Sequence, residues 1–174
     1  MKRSIDVLEH ASEILQAVNN GVLITTKKDG RVNAMTINWG GLAIEWGRPL
    51  FVTYVRQSRF TKTFLDATGE FTVNLPQGDF DKKITAVCGS VSGRDEDKIA
   101  KLGLTLEEPD IIEVPGIREL PLTLECRVVY RQDQDLATLG KNDVEKWYPV
   151  DPALGARDTH TAYHAEIVAA YVIE

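Results

Sequence analysis

Asn33-Ala34-Met35-Thr36-Ile37-Asn38-Trp39 and, further along, Arg56-Gln57-Ser58-Arg59-Phe60-Thr61-Lys62-Thr63 are the stretches on which the reading of this chain turns. The first has the alternation of a strand and ends in polar groups. The second is a strand end that runs into a helix start rich in hydroxyls and cations. That order suits a flat ligand carrying a phosphate. Backbone N–H and C=O groups of a strand can meet a ring edge, while helix N–H groups and a cation meet the anion. Met35, Ile37 and Trp39 also alternate as ordinary core residues do, and Ser58 or Thr61 with Arg59 would equally make a capped helix with a solvated arginine.

Working outward, Val7, Leu8, Ala11, Ile14, Leu15 and Val18 recur at helical spacing, which predicts a helix from Val7 to Val18 closed by Gly21 in a left-handed cap. Val22 to Thr26 reads as a strand, Lys27-Lys28-Asp29-Gly30 as a hairpin turn, and Arg31 to Asn38 as its partner strand. Pro49 to Val55 is a further strand. Thr61 to Ala67 is a short helix ended by Gly69, and Glu70 to Leu75 is a strand stopped by Pro76. Asp79 to Val87 and Arg94 to Leu102 read as helices, and Leu120 to Arg131 and Tyr163 to Ile173 as long strands. On the last, strict alternation places Ile167, Ala169 and Tyr171 on one face, with Glu166, Val168, Ala170 and Val172 on the other. Asp133 to Thr159, with Trp147-Tyr148-Pro149, reads as an excursion between them. The fold class this implies is mainly β with peripheral helices, a barrel rather than a doubly wound sheet.

The bulk composition bounds the function. One domain spanning 1–174 is expected at 174 residues, with 43% hydrophobic and 26% charged residues. A net charge of -6 and a pI near 5.2 argue against nucleic acid or an anionic membrane as partner. A local cationic pocket from Arg56, Arg59 and Lys62 remains compatible with that acidity. Cys88 and Cys126 form no CxxC pair, and small buried thiols in a reducing cytoplasm are the expectation. There is no Walker A loop, no GxGxxG, no HExxH and no GxSxG elbow. The three histidines, His10, His160 and His164, are too few for a histidine-rich metal site; a His160/His164/Glu166 group is conceivable, though solvent-facing strand positions account for it.

Several motifs in one order resemble the flavin reductase-like family. They are Gly21 to Thr26, then Asn33-Ala34-Met35-Thr36 with Trp39, then Ser58-Arg59-Phe60-Thr61, then Gly69 to Pro76 with Asn74-Leu75-Pro76, then Cys88 to Lys98, and finally Asp158, His160, Tyr163 and Glu166-Ile167-Val168. The resemblance implies an FMN-binding split β-barrel. It assigns the ring to Ala34, Met35, Thr36, Ile37, Asn38 and Trp39, the phosphate to Ser58, Arg59, Phe60 and Thr61, and further ring contact to Asn74 and Leu75. Relatives often place a glycine before the last strand's glutamate, where this chain has His164-Ala165.

The activity so implied is that of an NAD(P)H-dependent oxidoreductase, a homodimer in which FMN passes electrons to an acceptor. A non-catalytic FMN carrier and a pyridoxamine-phosphate-oxidase-like enzyme are the alternative readings. Arg94 and Lys98 stand as possible phosphate or nucleotide contacts, or as a surface helix. Trp147 and Tyr148 stand as a ring cover, or as an anchor for the excursion.

Overall fold

Residues 1–174 are described by a computed structural model. In chain order the elements are β1 (Lys2–Ser4), α1 (Ala11–Asn20), β2 (Val22–Lys28), β3 (Arg31–Ile37), β4 (Gly40–Glu45), β5 (Arg48–Arg56), α2 (Phe60–Thr68), β6 (Glu70–Leu75), α3 (Lys83–Ser90), α4 (Lys98–Leu102), β7 (Leu106–Glu107), β8 (Gly116–Ile117), β9 (Leu122–Asp133), α5 (Lys141–Trp147), β10 (Val150–Asp151), β11 (Ala156–Arg157) and β12 (His160–Ile173). The main sheet is antiparallel in the order β3-β2-β6-β9-β12-β5-β4, with β1 added along β12. It curls around one apolar core built from Val22 and Ile24, Phe51 and Val55, Phe71 and Val73, Leu124 and Cys126, and Tyr163 and Ala165. Ile14 and Val18 of α1 and Leu65 of α2 pack into that core. β3 and β4 remain the two unpaired edges, which makes the barrel split rather than closed. No helix is long and apolar enough to cross a membrane.

β2 is buried on both faces. Leu23 turns away from the barrel into a second cluster with Ala34, Ile84, Cys88, Ile117 and Leu120. A strand covered on both sides reads as a continuous apolar run, which is why Val22 to Thr26 shows no alternation. The hairpin turn lies where expected: Asp29 and Gly30 have φ of 50° and 76°, the left-handed pair that a tight two-residue turn requires. A second turn of the same kind, at Trp46 and Gly47 (φ 52° and 72°), joins β4 to β5. β4 has no counterpart among the expected strands. Its Gly40-Gly41 start hides it, yet Gly40 is required there, since a Cβ would lie 2.5 Å from the Val52 carbonyl oxygen.

Several expectations are corrected. α1 begins at Ala11 rather than Val7, because the Asp6 carboxylate accepts the amide of Leu8 at 2.7 Å and holds that segment in a turn. Gly21 leaves α1 at φ 105°, ψ 120°, not in a left-handed cap, and leads straight into β2. The helices expected over Asp79–Val87 and Arg94–Leu102 are shorter, Lys83–Ser90 and Lys98–Leu102, the latter capped by the Asp97 carboxylate on the Ala100 amide. On β12 a bulge between Ile167 and Ala169 breaks the strict alternation. Ile167 therefore shares the barrel interior with Val172 and Ala170, while Tyr171 lies on the opposite face under the Lys2 ammonium.

Candidate functional site

β3 is an edge strand, and α3 and α4 pack beside it. Between this edge and the start of α2 runs one cleft. At one end it is lined by Asn38, Trp39, Tyr54, Arg56 and His160. At the other it is lined by Ser58, Arg59, Phe60, Arg94 and Lys98. Met35, Arg59 and Gly89 belong to both ends and join them. Of the residues expected to bind, Met35, Thr36, Ile37, Asn38, Trp39, Ser58, Arg59, Phe60 and Thr61 line this cleft.

Three others sit elsewhere. Ala34 is fully buried in the second apolar cluster beneath the strand. Leu75 is a core residue. Asn74 is fully buried, and its amide is spent inside the molecule: Nδ2 donates to the hydroxyls of Thr25 (2.9 Å) and Thr72 (3.1 Å), and Oδ1 accepts from the Ile117 amide (2.9 Å). The signal read as a ring contact is a closed internal network.

The cationic end also differs in detail from the expectation. Ser58 does not cap α2. Its amide and hydroxyl both go to the Asp158 carboxylate, at 3.0 and 2.6 Å, and α2 starts at Phe60 with no side-chain cap. Thr61 is buried and accepts from Asn33 Nδ2 at 2.8 Å. Phe60 lies beneath the guanidinium groups of Arg31 and Arg94, 5.0 and 5.6 Å from its ring centre, so it braces cations rather than touching an anion itself. The loop between α3 and α4 passes so close to β3 that a Cβ on Gly93 would overlap Asn33 Oδ1. That close approach is what brings Arg94 and Lys98 over the α2 start.

Lys98 is the most informative of these cations. It is 4% exposed, yet its ammonium meets only carbonyl oxygens, Val91 at 3.0 Å and Cys88 at 3.5 Å. Burial, with the nearby Arg59 charge adding to it, lowers its pKa, and Cys88 opposes the shift. Arg59, Arg94 and Lys98 form no ion pair with any carboxylate. In a chain of net charge -6, three adjacent cations without a carboxylate make this end a candidate anion site. The local pattern of Lys98, beside Asp95 and Asp97, favours a surface helix, because its burial arises from the loop fold and leaves no local signal.

The other end is aromatic, and apart from the shared Arg59 its one cation, Arg56, is turned onto backbone carbonyls. The Trp39 ring lies 5.3 Å from that of Trp147, edge to face, and 5.1 Å from His160. Arg56 ties the excursion down, donating to the carbonyls of Asp158 (2.6 Å) and Trp147 (2.9 Å). The Tyr148 hydroxyl is 3.0 Å from His160 Nδ1. Burial, then the charge of Arg56, outweighs Asp158 and brings the His160 pKa down to about 4, so its imidazole is neutral at ordinary pH. His160, His164 and Glu166 do not converge: His164 pairs with Glu45 and Glu166 with Arg48. No three His, Cys, Asp or Glu side chains lie close enough to share a metal ion.

Comparison with known proteins agrees with this architecture. Residues 16–174 match the model of the flavin reductase like domain. An uncharacterized protein of Archaeoglobus fulgidus is 36% identical over 97 residues, 56% of this chain and 54% of its own length. The uncharacterized protein YddH of Escherichia coli K12 is 33% identical over 135 residues, 74% of this chain and 69% of its own. The chain thus spans about half the length of the first relative and about two thirds of the second. Among solved structures, flavoredoxin from Methanosarcina acetivorans superposes with a TM-score of 0.64 at 27% identity, over 88% of this chain and 68% of that one. With its split barrel, its cleft along β3 and a family match over residues 16–174, this chain belongs to the flavin reductase-like family.

Proposed function

We propose that this chain is an FMN-dependent oxidoreductase that uses NAD(P)H as electron donor. The observation that carries the reading is the polarity of this cleft, three cations without a carboxylate at one end and a largely aromatic lining at the other, where Arg56 is turned onto backbone carbonyls, the two joined along an open strand edge. That matches a flavin mononucleotide in size order and in charge: a dianion at one end and an uncharged tricyclic ring at the other. Lys98, Arg59 and Arg94 would hold the phosphate. The backbone of Met35 to Asn38, with the Trp39 side chain, would border the ring. Thr36 does not offer its hydroxyl proton, which it donates to the Thr85 carbonyl at 2.6 Å, so its contribution is through backbone and lone pair.

The redox chemistry is that of the isoalloxazine, two-electron reduction by a nicotinamide nucleotide followed by reoxidation by an acceptor. The protein binds, orients and restricts access. Trp39, Trp147 and Tyr54 exclude water from the ring end, and neutral His160 adds no cation there. A homodimer completes the reading. Val52 and Tyr54 of β5 and Ala162 and His164 of β12 form a half-buried outer face beside exposed Tyr130, and Tyr54 also lines the cleft. A second copy seated on that face would border the ring end.

Titration with FMN and with riboflavin, followed by flavin absorbance and protein fluorescence, tests the cofactor. Micromolar or tighter FMN binding is expected, with riboflavin weaker; absence of binding would sink the proposal. Stopped-flow mixing of the loaded protein with NADH and with NADPH then tests the activity. Bleaching by at least one nucleotide is expected, and none by either would leave a non-catalytic carrier. Sedimentation equilibrium tests the dimer.

A further inference from the structure

His160, the first residue of β12, is 5% exposed and lines the ring end of the cleft. The direction of every hydrogen bond around it can be settled from groups that have no choice. The backbone N–H of His160 lies 3.3 Å from Gln134 Oε1, and a backbone N–H only donates. The oxygen of the Gln134 amide therefore faces this corner. The Tyr148 hydroxyl, 2.7 Å from the same oxygen, gives its one proton to it. What remains on the hydroxyl toward His160 Nδ1, at 3.0 Å, is a lone pair. Only a protonated Nδ1 completes that contact. A neutral imidazole with its proton on Nδ1 has a bare lone pair on Nε2, and no group of the chain bonds Nε2.

We infer that Gln134 and Tyr148 are positioning residues that lock His160 in the Nδ1–H tautomer, so that Nε2 accepts a hydrogen bond from an amide or imide N–H of the molecule bound at the ring end. The inference rests on the flavin reading of the cleft for the identity of that molecule, and on the chain's own bonds for the tautomer. Gln134 is held in register by a second contact, its backbone N–H donating to the His160 carbonyl at 2.9 Å. Tyr148 is 4% exposed and lies edge-on to the imidazole at 5.5 Å. Both residues belong to the excursion between β9 and β12, Gln134 at its start and Tyr148 after α5, so folding of that segment sets the polarity of the histidine. An acceptor-only group, such as a carboxylate, would meet lone pair with lone pair and be rejected. Two molecules carry the required N–H: the flavin through its ring imide, and a nicotinamide nucleotide through its carboxamide.

The test is a long-range 1H–15N correlation spectrum of the full-length labelled protein near neutral pH, free and loaded with FMN. Only three histidines contribute, and His160→Gln identifies the signal. The wild type is expected to show His160 as the Nδ1–H tautomer in both states. Tyr148→Phe, which keeps the ring and its packing, should give a mixture or the Nε2–H form. Gln134→Leu should do the same, while Gln134→Glu, which retains the accepting oxygen, should restore the wild-type pattern. In the loaded enzyme, Tyr148→Phe should weaken one ligand by roughly tenfold. If the donor is the flavin imide, the Kd values of FMN and riboflavin rise together. If it is the carboxamide, KM for the nucleotide rises with kcat largely kept and FMN Kd unchanged.

An Nε2–H tautomer in the wild type would overturn the inference, as would an Nδ1–H signal indifferent to Tyr148→Phe. A tautomer that shifts as expected while neither Kd nor KM moves would overturn the ligand contact. Failure of FMN to bind at all would strike the functional reading instead, since the tautomer is read equally well on the free chain.

Discussion

Two groups of polar side chains flank β2 and β3, one buried and one centred on buried Lys98 beside exposed Arg59 and Arg94, and they have opposite states of completion. In the first, across β2, β6 and β9, Asn74 joins Thr25, Thr72 and the Ile117 amide, Thr72 donates to the Pro115 carbonyl, and the Glu125 carboxylate accepts the amides of Asp110, Ile111 and Ile112 at 2.6, 2.8 and 3.1 Å. In the second, at the α2 start, Lys98 meets only carbonyls, and Arg59 and Arg94 have no carboxylate. Desolvation costs are offset internally in the first group, whereas in the second Lys98 is buried with carbonyls alone and no opposite charge. A polar seam that closes on itself holds segments together, whereas one that stays open needs something from outside. The difference assigns the seam to stability and the cations to binding.

The largest effect that can break this distinction is at Glu125. Replacing it with Ala leaves three amides without their acceptor, that of Ile112 buried and those of Asp110 and Ile111 partly so, and removes the pin that holds the segment between β7 and β8 on the sheet. A loss of about 4 kcal/mol is expected from the usual cost of breaking buried charge-assisted bonds. Urea unfolding measures it. The folded remainder should bind FMN within about twofold of wild type on that assignment, and a large affinity loss at unchanged stability would reverse the two roles.

Acid sharpens the comparison by reaching the ring end first. An unfolded histidine titrates near 6.5, whereas His160 in the fold titrates at about 4, so the unfolded state binds the extra proton between these values. The stability contributed by keeping it neutral is complete above pH 6.5 and is lost as pH falls toward 4. A loss on the order of 2 kcal/mol is expected across that window, after allowance for solvent screening. His160→Gln should abolish this limb. The carboxylates of Asp66, bonded by Lys62 and Tyr163 against the pull of burial, and of Asp133, bonded by Thr161 and Gln57, are lowered from 3.8 and would act only below it.

How much of this was legible in the sequence follows the same division. The hairpin at Asp29-Gly30, the strand Glu70–Leu75 and the order of motifs are local, and they could be read from turn chemistry and period. Asn74 could not. Its position at a strand end before Pro76 looks the same whether the amide faces a ligand or Thr25, and only the pairing of β2 with β6 decides. Lys98 was equally opaque, because a charged residue after Asp95, Glu96 and Asp97 has the pattern of a solvated helix. Its burial comes from the Gly93 loop pressed onto Asn33, a tertiary contact with no local signature. β4 was missed because Gly40 and Gly41 mask its pattern, and the β12 bulge because a single inserted residue leaves no mark in an alternating run.

At Lys98 the prediction has a sign opposite to that at Glu125. Lys98→Met removes a desolvated charge that has no carboxylate, so the free protein should be as stable as wild type or more so. FMN affinity should fall about tenfold, near 1.5 kcal/mol, with riboflavin affinity unchanged. Paired melts and titrations with the two flavins read both quantities. A destabilised variant with normal FMN affinity would place Lys98 in the structural class.

Arg59 should give the smallest effect. Its side chain is exposed, so water and salt screen its attraction for a phosphate, and roughly threefold to tenfold weaker FMN binding is expected for Arg59→Ala. The discriminating measurement is salt dependence. The wild-type FMN Kd should rise with ionic strength, and the slope should be shallower in Arg59→Ala, while riboflavin binding stays flat in both proteins. Lys98, shielded from solvent, should contribute much less to that slope than its effect on affinity suggests. If Arg59→Ala weakens FMN and riboflavin equally, the residue acts through the α2 start and not on an anion, and the open group reduces to Lys98 and Arg94.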